Sequence, residues 1–195
     1  MSVTSNPAIA PRYTVVPEEK AGGTTYTPNI LADFVARQII KILDEIPVDR
    51  PLRVLDPAIG DGELLVSLLR QLAKHSGLDI KVYGFETDQY ALDIAIRRLR
   101  QCFPTVEINF KSESFLEFVL EHFSMDGSLS VFSPPVPATY DLIIANPPYV
   151  RTQIMGAIKA KLLAQQFGLS GRIDLYYAFI LAMSQVLGPK GIAGI

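Results

Sequence analysis

Three clusters in this sequence combine residue types that could do chemistry. The first is Asp56-Pro57-Ala58-Ile59-Gly60-Asp61-Gly62. Glycines at 60 and 62 let a backbone turn sharply and approach a ligand closely. The second is Glu86, thirty residues after Asp56. An acid at the end of the second strand of a doubly wound sheet accepts hydrogen bonds from ribose hydroxyls. Asp88, two residues on, could add a contact near a base. The third is Asn146-Pro147-Pro148-Tyr149. An exocyclic amine on a base, or an amide nitrogen, is a poor nucleophile because its lone pair is delocalised. Two acceptors aimed at its hydrogens favour the pyramidal, nucleophilic form and stabilise charge that develops on nitrogen. The Asn146 side-chain oxygen and the Pro147 backbone carbonyl are candidate acceptors. Consecutive prolines restrict the backbone and pre-organise them. Tyr149 can stack on a planar substrate held outside its duplex.

The ligand of the glycine loop follows from what the loop lacks. A dinucleotide fingerprint needs a third glycine, and position 65 is leucine. Asp56 and Asp61 would repel a pyrophosphate. A ligand without phosphate that carries a cation fits better; S-adenosylmethionine has an α-ammonium group that an aspartate can hold. Each cluster also has an ordinary reading: a strand-to-helix turn for 56–62, a solvated helix start for Glu86, a Pro-Pro turn for 146–149. The loop and acid together are more specific than either alone. Ser133-Pro134-Pro135-Val136 also pairs prolines, but it lacks the aromatic residue and reads as loop.

The elements that must position these residues alternate along the chain. Residues 1–25 hold three prolines, two adjacent glycines and several Ser/Thr, and residues 1–23 are expected to form a flexible arm. A helix should start at Thr27-Pro28, with threonine as N-cap and proline in the first helical position. Ile30, Leu31, Phe34, Val35, Ile39 and Ile42 recur at helical spacing and predict one apolar face. Strands are expected at 52–55, 81–85, 106–110 and 140–145, helices at 63–74, 90–100 and 174–187, and a loop or short helix at 112–118. Arg97, Arg98 and Arg100 read as the solvated last turn of a helix, where cations suit the dipole. Residues 124–139 read as a surface insertion. Gly188-Pro189-Lys190-Gly191 reads as a turn before a fifth strand at 192–195. Strand–helix alternation at this spacing predicts an α/β fold with a mostly parallel, doubly wound sheet and helices on both faces. The final strand stops abruptly, so the domain over 24–195 is expected to be partial and incomplete at its C-terminus.

Composition narrows the function class. The 195 residues are 49% hydrophobic and 19% charged, which excludes a disordered polyelectrolyte. Eighteen Lys+Arg against twenty Asp+Glu give a net charge of −2, unlike a chain that grips nucleic acid by charge alone. The single cysteine, Cys102, excludes a disulfide framework and a cysteine-based zinc site. His75 and His122 lie 47 residues apart without a ligand pattern, so no metal is expected. With no apolar run near 18 residues, no membrane partner is expected, and the reading is cytoplasmic. No Ser/His/Asp or Cys/His nucleophilic arrangement is visible. Tyr83 and Phe103 read as core, and Arg151 as either a surface residue or a contact to a DNA backbone.

On these residues the chain resembles the S-adenosylmethionine-dependent DNA adenine-N6 methyltransferases of restriction–modification systems, over about residues 24–195. Tyr26-Thr27-Pro28 resembles that family's upstream cofactor motif. Asp56 to Gly62 is similar to its Asp-Pro-Ala-x-Gly-x-Gly loop, which implies contacts of Asp56, Pro57, Ala58, Gly60 and Gly62 with the methionine moiety. Glu86 resembles its ribose-binding acid. Asn146, Pro147, Pro148 and Tyr149 match its catalytic motif in full. Gly171 to Phe179 resembles the segment that lines the target pocket, and Leu187 to Gly191 the turn before the fifth strand. The resemblance implies a Rossmann-like class I methyltransferase fold and S-adenosyl-L-methionine as cofactor. It also implies DNA as partner, gripped through a recognition domain absent from this chain, with a specificity subunit or fused nuclease as further partners.

Two departures stand out. The family carries an aspartate before Phe-Leu near the cofactor adenine, whereas here Ser114 precedes Phe115-Leu116, with Glu113 one residue earlier. Ser114 and Phe115 are nevertheless the candidate adenine contacts. The second departure is that the family's later β-hairpin and target-recognition domain are missing. Weak or no DNA methylation is therefore expected of these residues alone. Three alternatives stay open: a glutamine-N5 methyltransferase of the release-factor type, an RNA adenine methyltransferase, and a truncated cofactor-binding domain without turnover.

Overall fold

The computed structural model describes residues 27–47, 49–75, 77–122, 139–148 and 175–195. Its elements run α1 (Asn29–Ile42), β1 (Leu52–Asp56), α2 (Glu63–Leu72), β2 (Ile80–Phe85), α3 (Gln89–Cys102), β3 (Glu107–Lys111), α4 (Phe115–His122), β4 (Tyr140–Ile144), α5 (Leu175–Val186) and β5 (Leu187–Gly194). The five strands form one sheet in the order β3-β2-β1-β4-β5, and every pairing is parallel. The expected doubly wound sheet is the observed one. Tyr26, Tyr149, Arg151, the N-terminal arm, the 124–139 insertion and the Ser133–Val136 segment, apart from Thr139, lie outside the described residues.

Period-2 alternation along the strands divides the core into two layers, except at Tyr140, which lies on the opposite face from Leu142 where the β4–β5 register shifts. Leu52, Val54, Val82, Leu142 and Ile144 face α1, α2 and α3. Leu55, Phe85, Tyr140 and Ile143 face α4 and α5. Both sheet faces are covered, which is why β1 and β4 read as nearly unbroken apolar runs. At the amino edge of these strands, Arg50 donates to both carboxylate oxygens of Asp141 at 2.7 and 2.6 Å, and the Arg53 amide donates to Asp141 Oδ2 at 2.9 Å.

Three expectations need correction. Thr27 is not the N-cap of α1. Pro28 holds that position, extended at φ −59° and ψ 143°, and its carbonyl accepts from the amides of Leu31 and Ala32 at 3.0 Å. The buried face of α1 is also not the one its large apolar residues predict. Ala32, Ala36 and Ile39 are buried, whereas Ile30, Leu31, Phe34 and Ile42 are exposed. The helix is apolar over most of its circumference, so periodicity alone leaves the inward side open. On the buried side Ile39 and Val35 reach β5, where a Cβ on Gly194 would lie 2.6 Å from Ile39 and 2.8 Å from Val35. Finally, the 188–191 segment is not a turn that precedes β5 but an irregularity within it. Leu187 pairs with Tyr140 and Ile192 with Leu142, so four residues oppose Asp141 alone. Lys190 takes a positive φ of 63° there.

One strand glycine has a positioning role. Gly84 of β2 pairs with Asp56, and a Cβ on it would fall 2.3 Å from Ile59 Cδ1. The glycine loop after β1 rests where that side chain would be. Gly84→Ala should destabilise the protein by about 1–3 kcal/mol through overpacking. Adding Ile59→Ala should make the effect of Gly84→Ala smaller, as urea unfolding of the single and double variants would measure.

Candidate active site

The strand order reverses between β1 and β4, and ligands of open α/β sheets bind outside the carboxyl ends of the strands at such a point. Asp56 ends β1, and Asn146 follows β4, its neighbour in the sheet. The sheet therefore brings the first and third sequence clusters to one crevice mouth, with Glu86 just beyond the end of β2.

The loop between β1 and α2 is held by a series of backbone bonds. The Ala58 amide donates to Asp56 Oδ1 at 3.0 Å, and the Ile59 amide to the Phe85 carbonyl at 3.0 Å. The Gly60 amide donates to Glu86 Oε2 at 2.9 Å, and the Gly62 amide to the Ile59 carbonyl at 2.9 Å. Gly60 and Gly62 take φ of 55° and 81°, the left-handed region that favours glycine. Gly62 is also the N-cap of α2 and packs so closely on α3 that a Cβ would lie 3.1 Å from Ala95 Cβ. Pro57 is buried and Ala58 half-buried within the turn.

Asp56 is fully buried, and its Oδ2 has no hydrogen-bond partner among the described residues. Burial pushes its carboxyl up to about 7. The Ala58 N–H pulls the other way, and the nearby Glu86 and Asp61 charges add to the rise. A buried acceptor without a partner is costly, and a ligand cation would complete it. Glu86 is half-buried; its Oε1 accepts from the Asp88 amide at 2.8 Å. Asp88 caps α3, accepting from the amides of Tyr90 at 2.9 Å and Ala91 at 3.3 Å. The acid that ends β2 thus ties the glycine loop to the start of α3.

Asp61 does not present its charge to the site as the sequence suggests. Arg98, read as part of a solvated helix end, is 7% exposed and lies beneath the loop. Its Nη1 donates to the Asp61 carbonyl at 2.7 Å and lies 3.2 Å from Asp61 Oδ2, while Nη2 donates to Glu63 Oε2. Arg97 and Arg100 are exposed as expected. Asp56 and Glu86 therefore remain as the acids that set the sign of the crevice. A sequence signal for Arg98 exists in retrospect: Glu63 heads a helix whose first seven residues are all buried, and a buried acid needs a cation.

Beyond β4, the Ala145 amide donates to the Gly194 carbonyl at 2.9 Å and completes the ladder with β5. Asn146 is half-buried, Pro147 buried and Pro148 half-buried. Asn146 Nδ2 donates to Thr27 Oγ1 at 3.0 Å across 119 residues of sequence. Thr27 therefore meets the asparagine cluster. Ser114 caps α4, its Oγ accepting from the Glu117 amide at 3.5 Å. The Phe115 ring is 1% exposed, between Phe85 and Phe179 at centroid distances of 5.4 and 5.9 Å. Its side chain belongs to the core and offers no face to a ligand, contrary to the cofactor contact expected for it.

Two outcomes test this geometry. Arg98→Met leaves buried acids uncompensated and should cost about 3–5 kcal/mol of stability in urea unfolding. Asp56 binds its proton more tightly folded, at about 7, than at its ordinary 3.8. Its contribution is therefore fully present at low pH and is lost as pH rises through about 7. Unfolding measured at pH 5 and pH 8 should show the wild type losing stability relative to Asp56→Asn at the higher pH.

Comparison with known proteins agrees with this geometry. The N-6 DNA methylase family model matches residues 12–195. The type II methyltransferase M.BanIII of Aneurinibacillus aneurinilyticus is 40% identical over 183 residues, covering 91% of this chain and 30% of that protein. The chain spans about a third of the length of the curated relatives it matches. Among solved structures, the type IIG restriction endonuclease BpuSI superposes with a TM-score of 0.62 at 20% identity, over 90% of this chain and 20% of that one. A class I S-adenosylmethionine-dependent methyltransferase from Listeria monocytogenes gives 0.60 at 17% identity, over 86% and 44%. The fold is that of the class I methyltransferases, and the chain belongs to the N-6 DNA methylase family.

Proposed function

We propose that the protein transfers a methyl group from S-adenosylmethionine to the N6 amine of adenine in DNA, within a restriction–modification system in the cytoplasm. Family membership and the relatives' names support the reaction class. The observation that carries the reading for this chain is that neighbouring strands bring Asp56, whose buried Oδ2 has no partner among the described residues, and Asn146 to one crevice mouth.

The residues present fit the cofactor. Asp56 offers a carboxylate oxygen to an α-ammonium group, the turns at Gly60 and Gly62 keep side chains out of the way, and Glu86 keeps acceptor capacity for ribose hydroxyls. When bound, S-adenosylmethionine supplies an electrophilic sulfonium methyl group. Asn146 Oδ1 and the Pro147 carbonyl accept the hydrogens of the target amine and favour its nucleophilic form. Tyr149 is assigned, from its position in the sequence alone, to stack on the adenine once it leaves the duplex. Catalysis then rests on positioning and electrostatics. The partners we propose are duplex DNA, gripped by a recognition domain outside these 195 residues, and a specificity subunit or nuclease.

The test is product analysis. The protein, together with the recognition domain proposed above, is incubated with S-adenosylmethionine and duplex DNA, and the DNA is digested to nucleosides for mass spectrometry. The expected product is N6-methyladenine. Asn146→Ala should lower its formation by about 10²–10³-fold, with the calorimetric Kd for the cofactor changed by less than about threefold. Methyl transfer to RNA or to a glutamine side chain, with DNA unmodified, would overturn the proposal.

A further inference from the structure

An asparagine can serve as an acceptor only if its amide is turned the right way, because Nδ2 and Oδ1 are nearly the same shape with opposite hydrogen-bonding roles. Nothing in an Asn-Pro-Pro turn itself settles which arm faces a substrate. In this structure the Nδ2 arm is engaged by a residue from the far end of the chain. Thr27 is 7% exposed, and its Oγ1 accepts from Asn146 Nδ2 at 3.0 Å. We propose that Thr27 is a positioning residue that fixes the Asn146 amide, so that Oδ1 is the arm left to accept from the target amine. The role of that arm rests on the functional reading above.

Both partners are held from outside the contact. Thr27 is followed by Pro28, whose φ of −59° and engaged carbonyl anchor the start of α1. Helix α1 is in turn seated by Ala32, Ala36 and Ile39. Asn146 is preceded by Ala145, whose amide is bonded to Gly194 of β5. The hydroxyl therefore sits against the amide by virtue of two packed elements, not of loop conformation. In the opposite orientation the Thr27 hydroxyl would donate to Oδ1 instead, and Nδ2 would aim a donor at the hydrogens of the amine. The upstream Tyr-Thr-Pro cluster, read from the sequence as a cofactor motif, thus acquires a second role toward the methyl acceptor.

The test pairs Thr27→Val, which keeps the shape and removes the hydroxyl, with Thr27→Ser, which keeps the hydroxyl. Nuclear magnetic resonance of the ¹⁵N-labelled protein follows the Asn146 side-chain amide. The wild type and Thr27→Ser should show an amide proton protected from solvent exchange, and Thr27→Val should lose that protection. In single-turnover methyl transfer at saturating S-adenosylmethionine, Thr27→Val should be slower by about tenfold, the value of one hydrogen bond. Thr27→Ser should recover most of the rate lost in Thr27→Val, and saturation with the cofactor keeps any change in its Kd out of the comparison. An unprotected Asn146 amide in the wild type would overturn the proposal without any variant. So would unchanged protection in folded Thr27→Val, or a tenfold loss of cofactor affinity with the saturated rate intact, which would make Thr27 a cofactor ligand only. If the amide responds as expected but the wild type methylates no adenine, the functional reading fails and the orienting role of Thr27 stands.

Discussion

The arrangement at the crevice depends on a buried cation. Arg98 reaches from α3 under the glycine loop and bonds the Asp61 carbonyl and the Asp61 and Glu63 carboxylates. Without it, two acids at the head of α2 would be buried with like charge, and the loop could not lie flat against α3. With it, the loop is clamped from below by Arg98 and from the side by Glu86. The contribution of such a pair to net stability is small, because desolvation offsets attraction, but removal of one member is costly. Its effect here is geometric: it fixes where the Gly60 and Gly62 backbone runs.

The remainder of the crevice is assembled by a different set of elements. The side we assign to the cofactor is hung on β1, β2, α2 and α3. The side we assign to the target amine is hung on β4 and β5 and on α1, which packs across to β5. The two meet because parallel strand order places β1 beside β4. At the junction the described residues make a short contact, Asn146 Nδ2 to Thr27 Oγ1.

Much of this was legible in the sequence. Alternation of apolar runs with turn residues is a local signal, and it located β1 to β4, α2, α3 and α5 to within two residues. Residues 112–118, in contrast, read as a loop or short helix where α4 spans Phe115–His122, and β5 starts five residues before the expected 192. Asp56 to Gly62, Glu86 and Asn146 were legible because backbone turns and strand ends impose residue types over short spans. What escaped was set by contacts distant in sequence. The face of α1 was misread because the helix is apolar over most of its circumference, and the buried side carries Ala32 and Ala36 in place of its larger residues. Arg98 looked solvated because a basic residue in a last helical turn is ordinary, and its acids lie 35 and 37 positions away. The Phe115 ring fills the core although its neighbourhood resembles a ligand contact. The Thr27–Asn146 bond spans 119 residues, a separation that no local pattern encodes.

The isolation of Asp56 Oδ2 gives ligand capture a proton balance. A carboxyl held near 7 is shared, at neutral pH, between a neutral and an ionised form. A cation that seats against it selects the ionised form, so each binding event expels a fraction of a proton to the buffer. The heat of association would then carry the ionisation enthalpy of whatever buffer receives that proton. Capture at this site is in part an exchange of one positive charge for another, a proton for the cation of the ligand.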